Sequence, residues 1–296
     1  MKNKIIMHIN FAESGFGCFG KKSIDDICRF AAETGFDGIE FRGALPKELA
    51  SLSFREYAEQ IAAGKKKYGL SEILFGIAVK ECTNTDRDVR ERDIAEAIEK
   101  AKIAREICGS EVCNTYSVWI SSPDPNTPKP GFEFHGSAAS NPEQWEMIAD
   151  AYRRIGAELE KIGLRFAFET HMNYIHDLPA QSKKLVDMID SPMVGINMDY
   201  GNTFLFPVRP SFEEAIDLYG DKLFYAHLKN YITVPGATRK TPASLGGGEI
   251  NHRAYFEKLN DVGYTGPIGI EAPRPGDRLS FARSDLAYVK RLMTEI

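Results

Sequence analysis

Short apolar runs and longer amphipathic stretches alternate along this chain without a break, and that alternation limits the possible folds more than any other feature. The short runs, rich in Ile, Val, Phe and Tyr, fall at residues 4–10, 36–42, 72–80, 112–119, 165–171, 193–199, 222–230 and 267–271. They read as strands. Helical patterns occupy 23–34, 53–68, 87–108, 142–162, 179–189, 211–219, 251–262 and 280–294. Several helices carry end signals. Ser23 with Asp25 and Asp26 opens the first, and Gly35 follows it. Asn141 before Pro142 opens another, which stops at Gly163, and Gly109 closes the stretch before it.

Strict alternation of strand and helix argues for a parallel sheet with helical crossovers. Eight such units in 296 residues are the number that closes a (β/α)8 TIM barrel, so the expected fold is α/β, one TIM-barrel domain over residues 1–296. A doubly wound open sheet is the alternative. No G-x-G-x-x-G follows the first strand, so a dinucleotide-binding half lacks its main signature. One stretch breaks the rhythm. Residues 121–140 hold Pro123, Pro125, Pro128 and Pro130 and no helical pattern, and they follow the fourth strand. That is the barrel end where active sites form, so the segment reads as a lid or as a surface insertion.

Composition removes whole classes of function. Lys and Arg number 37 against 42 Asp and Glu, a net charge of −5, which argues against a nucleic-acid-binding face. No apolar run reaches the roughly 18 to 20 residues needed to span a bilayer. The opening MKNKIIMHIN has two lysines and a short apolar run, and reads as a first strand rather than a signal peptide. Five cysteines without a C-x-x-C fit neither a disulfide framework nor a zinc ribbon, and a reducing cytoplasm is the expected compartment.

The chemistry is written at the strand ends, which converge on one face of a βα barrel. The fifth strand, FAFETH, ends with Glu169 and His171; the sixth, VGINMDYGN, with Asp199. The seventh, LFYAHLKN, carries His227, and the eighth, PIGIEAP, ends with Glu271. An ionisable group after a buried apolar run is costly unless something pairs with it. One acid alone at such a place serves more often as a helix cap or an ion-pair partner. Four such groups from four consecutive strands point to one shared divalent cation, with Glu169, Asp199, His227 and Glu271 as ligands. Manganese leads the expectation, and Mg²⁺, Co²⁺ and Zn²⁺ suit the same donors.

These residues and others resemble the xylose isomerase-like TIM-barrel superfamily, the sugar phosphate isomerase/epimerase group. The resemblance runs through GFDGIEFRG at 35–43, E-x-H at 169–171, M-D-x-G-N at 198–202, H-L-K-N at 227–230, LGGGEI at 245–250 and the close at 266–271. It covers essentially the whole chain. It implies the ligand set Glu, Asp, His, Glu at the four positions already named. Ketose 3-epimerases of that group carry a His three residues after the metal Asp, where this chain has Asn202.

The expected activity is that of a divalent-metal-dependent sugar or sugar-derivative isomerase or epimerase, in which Glu169 and Glu271 move a proton on and off carbon next to a carbonyl. The alternative is a lyase sharing that first step: an inosose-type dehydratase, an oxo-sugar-acid decarboxylase or a 3-oxo-glycoside-cleaving subunit. Substrate contacts are expected from His171, Glu40, Lys80, Asn202 and Lys229. His8 reads as packing or a rim contact, and His176 and Asp177 as specificity residues. His252 reads as a cap or surface group, and Gly246–Gly248 as a turn or an anion cradle. Trp119 and residues 132–135 are expected to approach the substrate from the lid. The expected partner is a small carbohydrate, with no nucleic acid and no membrane, and the expected assembly a homodimer or homotetramer. A DNA-repair nuclease of the same fold would need more than six histidines and a basic face.

Overall fold

The computed structural model describes residues 1–237 and 239–296. Eight parallel strands close a barrel: β1 (Ile5–His8), β2 (Gly38–Arg42), β3 (Glu72–Ala78), β4 (Val112–Tyr116), β5 (Arg165–Glu169), β6 (Val194–Asp199), β7 (Leu223–Leu228) and, last in the chain, β10 (Ile268–Ile270). A short antiparallel ribbon, β8 (Tyr231–Ile232) with β9 (Thr241–Pro242), stands apart from it. The chain is a TIM barrel, as the alternation predicts. The strands are shorter than their apolar runs suggest, because residues at one or both ends of each run belong to the adjoining loops.

Contacts divide the chain into two compact units. The first comprises residues 1–76, 102–111 and 226–296. Here β1 pairs with β2 and with β10, with Met7 opposite Ile39 and Ile270. The helices α1 (Ile24–Thr34), α2 (Phe54–Tyr68), α8 (His252–Asp261) and α9 (Arg278–Glu295) belong to it. Its core holds Ile5, Ile39, Phe41, Tyr57, Ile61, Ile268 and Val289, all essentially without solvent contact. The second unit comprises residues 77–101 and 112–225, with β5 paired to β4 and β6. It contains α3 (Arg87–Ile103) up to residue 101, α4 (Pro142–Ile162), α5 (Pro179–Ile189), the one-turn α6 (Tyr200–Thr203) and α7 (Phe212–Tyr219). Phe168 of β5 packs on Tyr152 of α4 with ring centroids 4.3 Å apart. Each fully buried large apolar side chain contributes about 1.5–3 kcal/mol. Strands such as Ile5–His8 and Val194–Asp199 are buried at every position, as parallel strands covered on both faces must be.

Helix ends follow the sequence signals. Ser23 with Asp26, and Asn141 with Gln144, form reciprocal capping boxes, and so do Ser53 with Glu56 and Ser211 with Glu214. The stretch after α3 departs from expectation: Ala104–Cys108 winds as a π-helix before Gly109. Residues 121–140 contain two 3-10 turns, Phe132–Phe134 and Gly136–Ala139, where no helical pattern is legible. Among the described residues no helix is long and apolar enough to cross a membrane.

Candidate metal centre

Glu169 closes β5 and is 1% exposed. A buried carboxylate needs donors, and three neutral ones converge on it. Asn114 donates its Nδ2 hydrogen to Oε2 at 2.8 Å, the Tyr116 hydroxyl donates to the same oxygen, and Asn202 donates to Oε1 at 2.9 Å. Asn197 on β6 donates in turn to Asn114 Oδ1 at 3.1 Å. Asp199 closes β6, and its Oδ1 caps α6 by accepting the Asn202 N–H at 3.0 Å. His176 braces the same region. Its Nδ1 lies 2.6 Å from the Glu169 carbonyl oxygen and its Nε2 accepts the Ser117 N–H at 3.2 Å, so Nδ1 carries the hydrogen. Burial pulls its pKa down to about 3, and the ring is neutral.

His227 on β7 has charged company. Its Nε2 lies 2.8 Å from Glu40 Oε2 and its Nδ1 lies 2.9 Å from Glu271 Oε2. Lys229 places its ammonium 3.4 Å from Glu271 Oε2, and Asn10 donates to Glu271 Oε1 at 3.2 Å. His8 stands 3.9 Å from both Glu40 and Glu271, in this polar layer rather than in the apolar core.

Glu169, Asp199, His227 and Glu271 each offer one ligand atom, all within 4.8 Å of one another. Two like charges at that spacing repel by about 3 kcal/mol at an effective dielectric near 20. Three carboxylates and an imidazole, largely withdrawn from water, are therefore a donor set that fits a divalent cation, which offsets the repulsion.

The other expected contacts are placed variously. Glu40 is 1% exposed, behind His227. Asn202 is buried against Glu169, and Lys80 is exposed beyond the end of β3. β5 stops at Glu169, so His171 does not share a strand face with it. Its ring stands edge-on to Tyr116 and Tyr174. Asn114 and Tyr116 were not among the expected site residues. Their signal was an Asn in the middle of a buried strand, with a Tyr two positions on and so on the same face.

The segment 121–140 is clasped to the loop after β5. Ile120 N–H donates to the Asn173 carbonyl at 2.7 Å, and Ser137 N–H to Asp177 Oδ2 at 2.9 Å. Gly136 has φ 56° and sits so close to Asp177 and the Tyr174 carbonyl that any Cβ would clash. Burial pushes the Asp177 carboxyl up to about 6. Phe132 packs on Phe206, while Trp119 and Phe134 stay about half exposed. Gly248 lies where a Cβ would strike the Asn230 amide, so the glycine run is a close approach of backbone to side chain. Asn230 ties that run down by donating to the Leu245 and Ile250 carbonyls. His252 is buried beside it, with Nδ1 3.0 Å from the Leu245 oxygen, while Asn251 caps α8.

This fold and donor set define a class, and the chain belongs to it: the family model of xylose isomerase-like TIM barrels matches residues 28–292. Within the class, the chain is 24% identical over 176 residues to an inosose dehydratase of Clostridium perfringens, a match covering 53% of this chain and 58% of that protein. It thus spans little more than half the length of that relative. A xylose isomerase-like TIM barrel protein from Mycobacterium smegmatis, solved in complex with magnesium, superposes with a TM-score of 0.74 at 22% identity, covering 99% of this chain and 97% of that one. The 3-keto-D-glucoside 4-epimerase of E. coli superposes with a TM-score of 0.73 at 18% identity, covering 98% of this chain and 100% of that one. At these identities the superpositions show the shared fold.

Proposed function

We propose that this protein is a divalent-metal-dependent isomerase or epimerase of a small sugar or sugar derivative. The observation that carries the reading is the meeting of three carboxylates and one imidazole within 4.8 Å. Glu169, Asp199, His227 and Glu271 hold the ion, with manganese first among the candidates. A divalent cation there supplies Lewis acidity to substrate oxygens and so lowers the barrier to forming an enediolate. Glu271 takes the proton from carbon next to the carbonyl, and Glu169 returns it. Lys229 faces a substrate oxygen and balances its negative charge. Asn202, His171 and Lys80 belong to the same proposed substrate-binding set. The loop 121–140 closes the mouth and sets substrate choice. We also place the enzyme in the cytoplasm, as one catalytic domain in a homo-oligomer.

A lyase is the second reading, and two observations favour it. One is the match to an inosose dehydratase. The other is the Lys229 ammonium 3.4 Å from Glu271, an acid beside the base, as a departing hydroxyl requires. Both readings are tested by incubating metal-loaded protein with ketoses, inososes and 3-oxo-glycosides in D₂O. Deuterium at one carbon of an epimer or aldose–ketose pair supports the first, and an unsaturated product the second. No exchange with any of them contradicts proton abstraction itself.

A further inference from the structure

We propose that Glu40 is a positioning residue for His227, holding the imidazole so that Nδ1 is the nitrogen offered to the metal; this rests on the metal-dependent reading above. Glu40 lies in mid-strand on β2, an unusual place for an acid, with Phe41 and Ile39 buried on either side. It is 1% exposed, with one carboxylate oxygen turned to His227. A buried carboxylate there has to be held by donors, and His227 is one. Its Nε2 lies 2.8 Å from Glu40 Oε2. A carboxylate oxygen at that distance is an acceptor for a hydrogen on Nε2. The opposite nitrogen, Nδ1, lies 2.9 Å from Glu271 Oε2, on the side of the clustered carboxylates. Both ring nitrogens face a carboxylate, but of the two acids only Glu271 belongs to the four-residue cluster, so an ion there would meet Nδ1 while Glu40 keeps Nε2.

The surroundings keep that orientation. His8 accepts the Asn10 N–H on Nδ1 at 3.2 Å, which leaves its Nε2 hydrogen toward the other Glu40 oxygen, 3.9 Å away. The His8 and His227 rings meet edge to face at 5.8 Å, so His227 cannot turn over without displacing His8. Carboxylates behind a metal-bound imidazole fix its orientation and raise its basicity, and losing one weakens metal binding by about 10- to 100-fold.

The test compares wild type, Glu40→Ala and Glu40→Gln. Zinc affinity is read by chelator competition, with folding checked by circular dichroism and thermal melting. Glu40→Ala should weaken zinc binding by about 10- to 100-fold. Glu40→Gln, whose amide oxygen still accepts the Nε2 hydrogen, should fall between alanine and wild type. It also carries the test if the alanine variant does not fold. In parallel, ¹⁵N-histidine NMR of the metal-free protein should show a slowly exchanging hydrogen on His227 Nε2 that exchanges fast in Glu40→Ala and at an intermediate rate in Glu40→Gln. Unchanged zinc affinity in the folded variants, or a hydrogen on Nδ1 alone, would overturn the proposal. If wild type itself binds no zinc, manganese or magnesium, the metal reading fails, while the NMR result still decides the role of Glu40.

Discussion

The surroundings of Glu169 and of Glu271 differ in kind. Glu169 is held by neutral donors, two asparagine amides and a phenol. Glu271 sits among His227, Lys229 and the nearby His8, groups that gain, lose or share protons. Neutral donors orient a carboxylate without adding charge to its surroundings. Ionisable neighbours leave a carboxylate able to exchange a proton and to respond to charge on a substrate. Two acids at equivalent strand ends are thus built for different degrees of constancy.

The strongest challenge to this contrast is to remove each charge separately. Glu271→Gln and Glu169→Gln should each lower turnover by at least roughly 100-fold and reduce metal retention. The contrast sharpens if only Glu271→Gln also reshapes the pH–rate profile. It breaks if the two variants behave alike in every respect, or if either keeps full activity.

Stability gives the next largest effect. Asn114→Leu removes a donor to Glu169 and the acceptor of Asn197, leaving buried polar atoms short of a partner. It should destabilise the fold by about 1–3 kcal/mol in urea denaturation. A stability equal to that of wild type would show that the neutral donors are dispensable.

A smaller effect comes from His252, outside both neighbourhoods. Burial pulls its pKa down to about 4, against an ordinary value of 6.5. Between those values the unfolded chain holds the extra proton and the folded chain does not. Stability is therefore fully present above pH 6.5 and is lost as pH falls toward 4, by about 1.4 kcal/mol per pH unit. Asp177, raised to about 6, works the other way: it favours the folded state at low pH and loses that contribution as pH rises from 3.8 to 6. The His252 part is isolated by comparing wild type with His252→Gln across pH 7 to 5. Parallel curves would remove His252 as the source.

Much of this architecture is legible in the sequence because it rests on local rules. Alternating apolar periods give the barrel, and Ser23, Asn141, Gly35 and Gly163 mark helix ends where they are found. The four clustered residues are legible because each follows a buried run. What escapes is settled by neighbours distant in the chain. Asn114 meets Glu169 across 55 positions, and Glu40 meets His227 across 187. His171 lies beyond the end of β5, and nothing local in the sequence shows that the strand stops at Glu169. The clasp of Asp177 on Ser137 joins two loops, where no periodicity exists to be read.

Glu169, Asp199, His227 and Glu271 are proposed to hold one ion on which activity depends. Protein purified without chelator should contain about one divalent ion per chain by elemental analysis. Stripping that ion should abolish deuterium exchange into substrate, and adding back manganese should restore it. A metal-free preparation with undiminished exchange would contradict the claim.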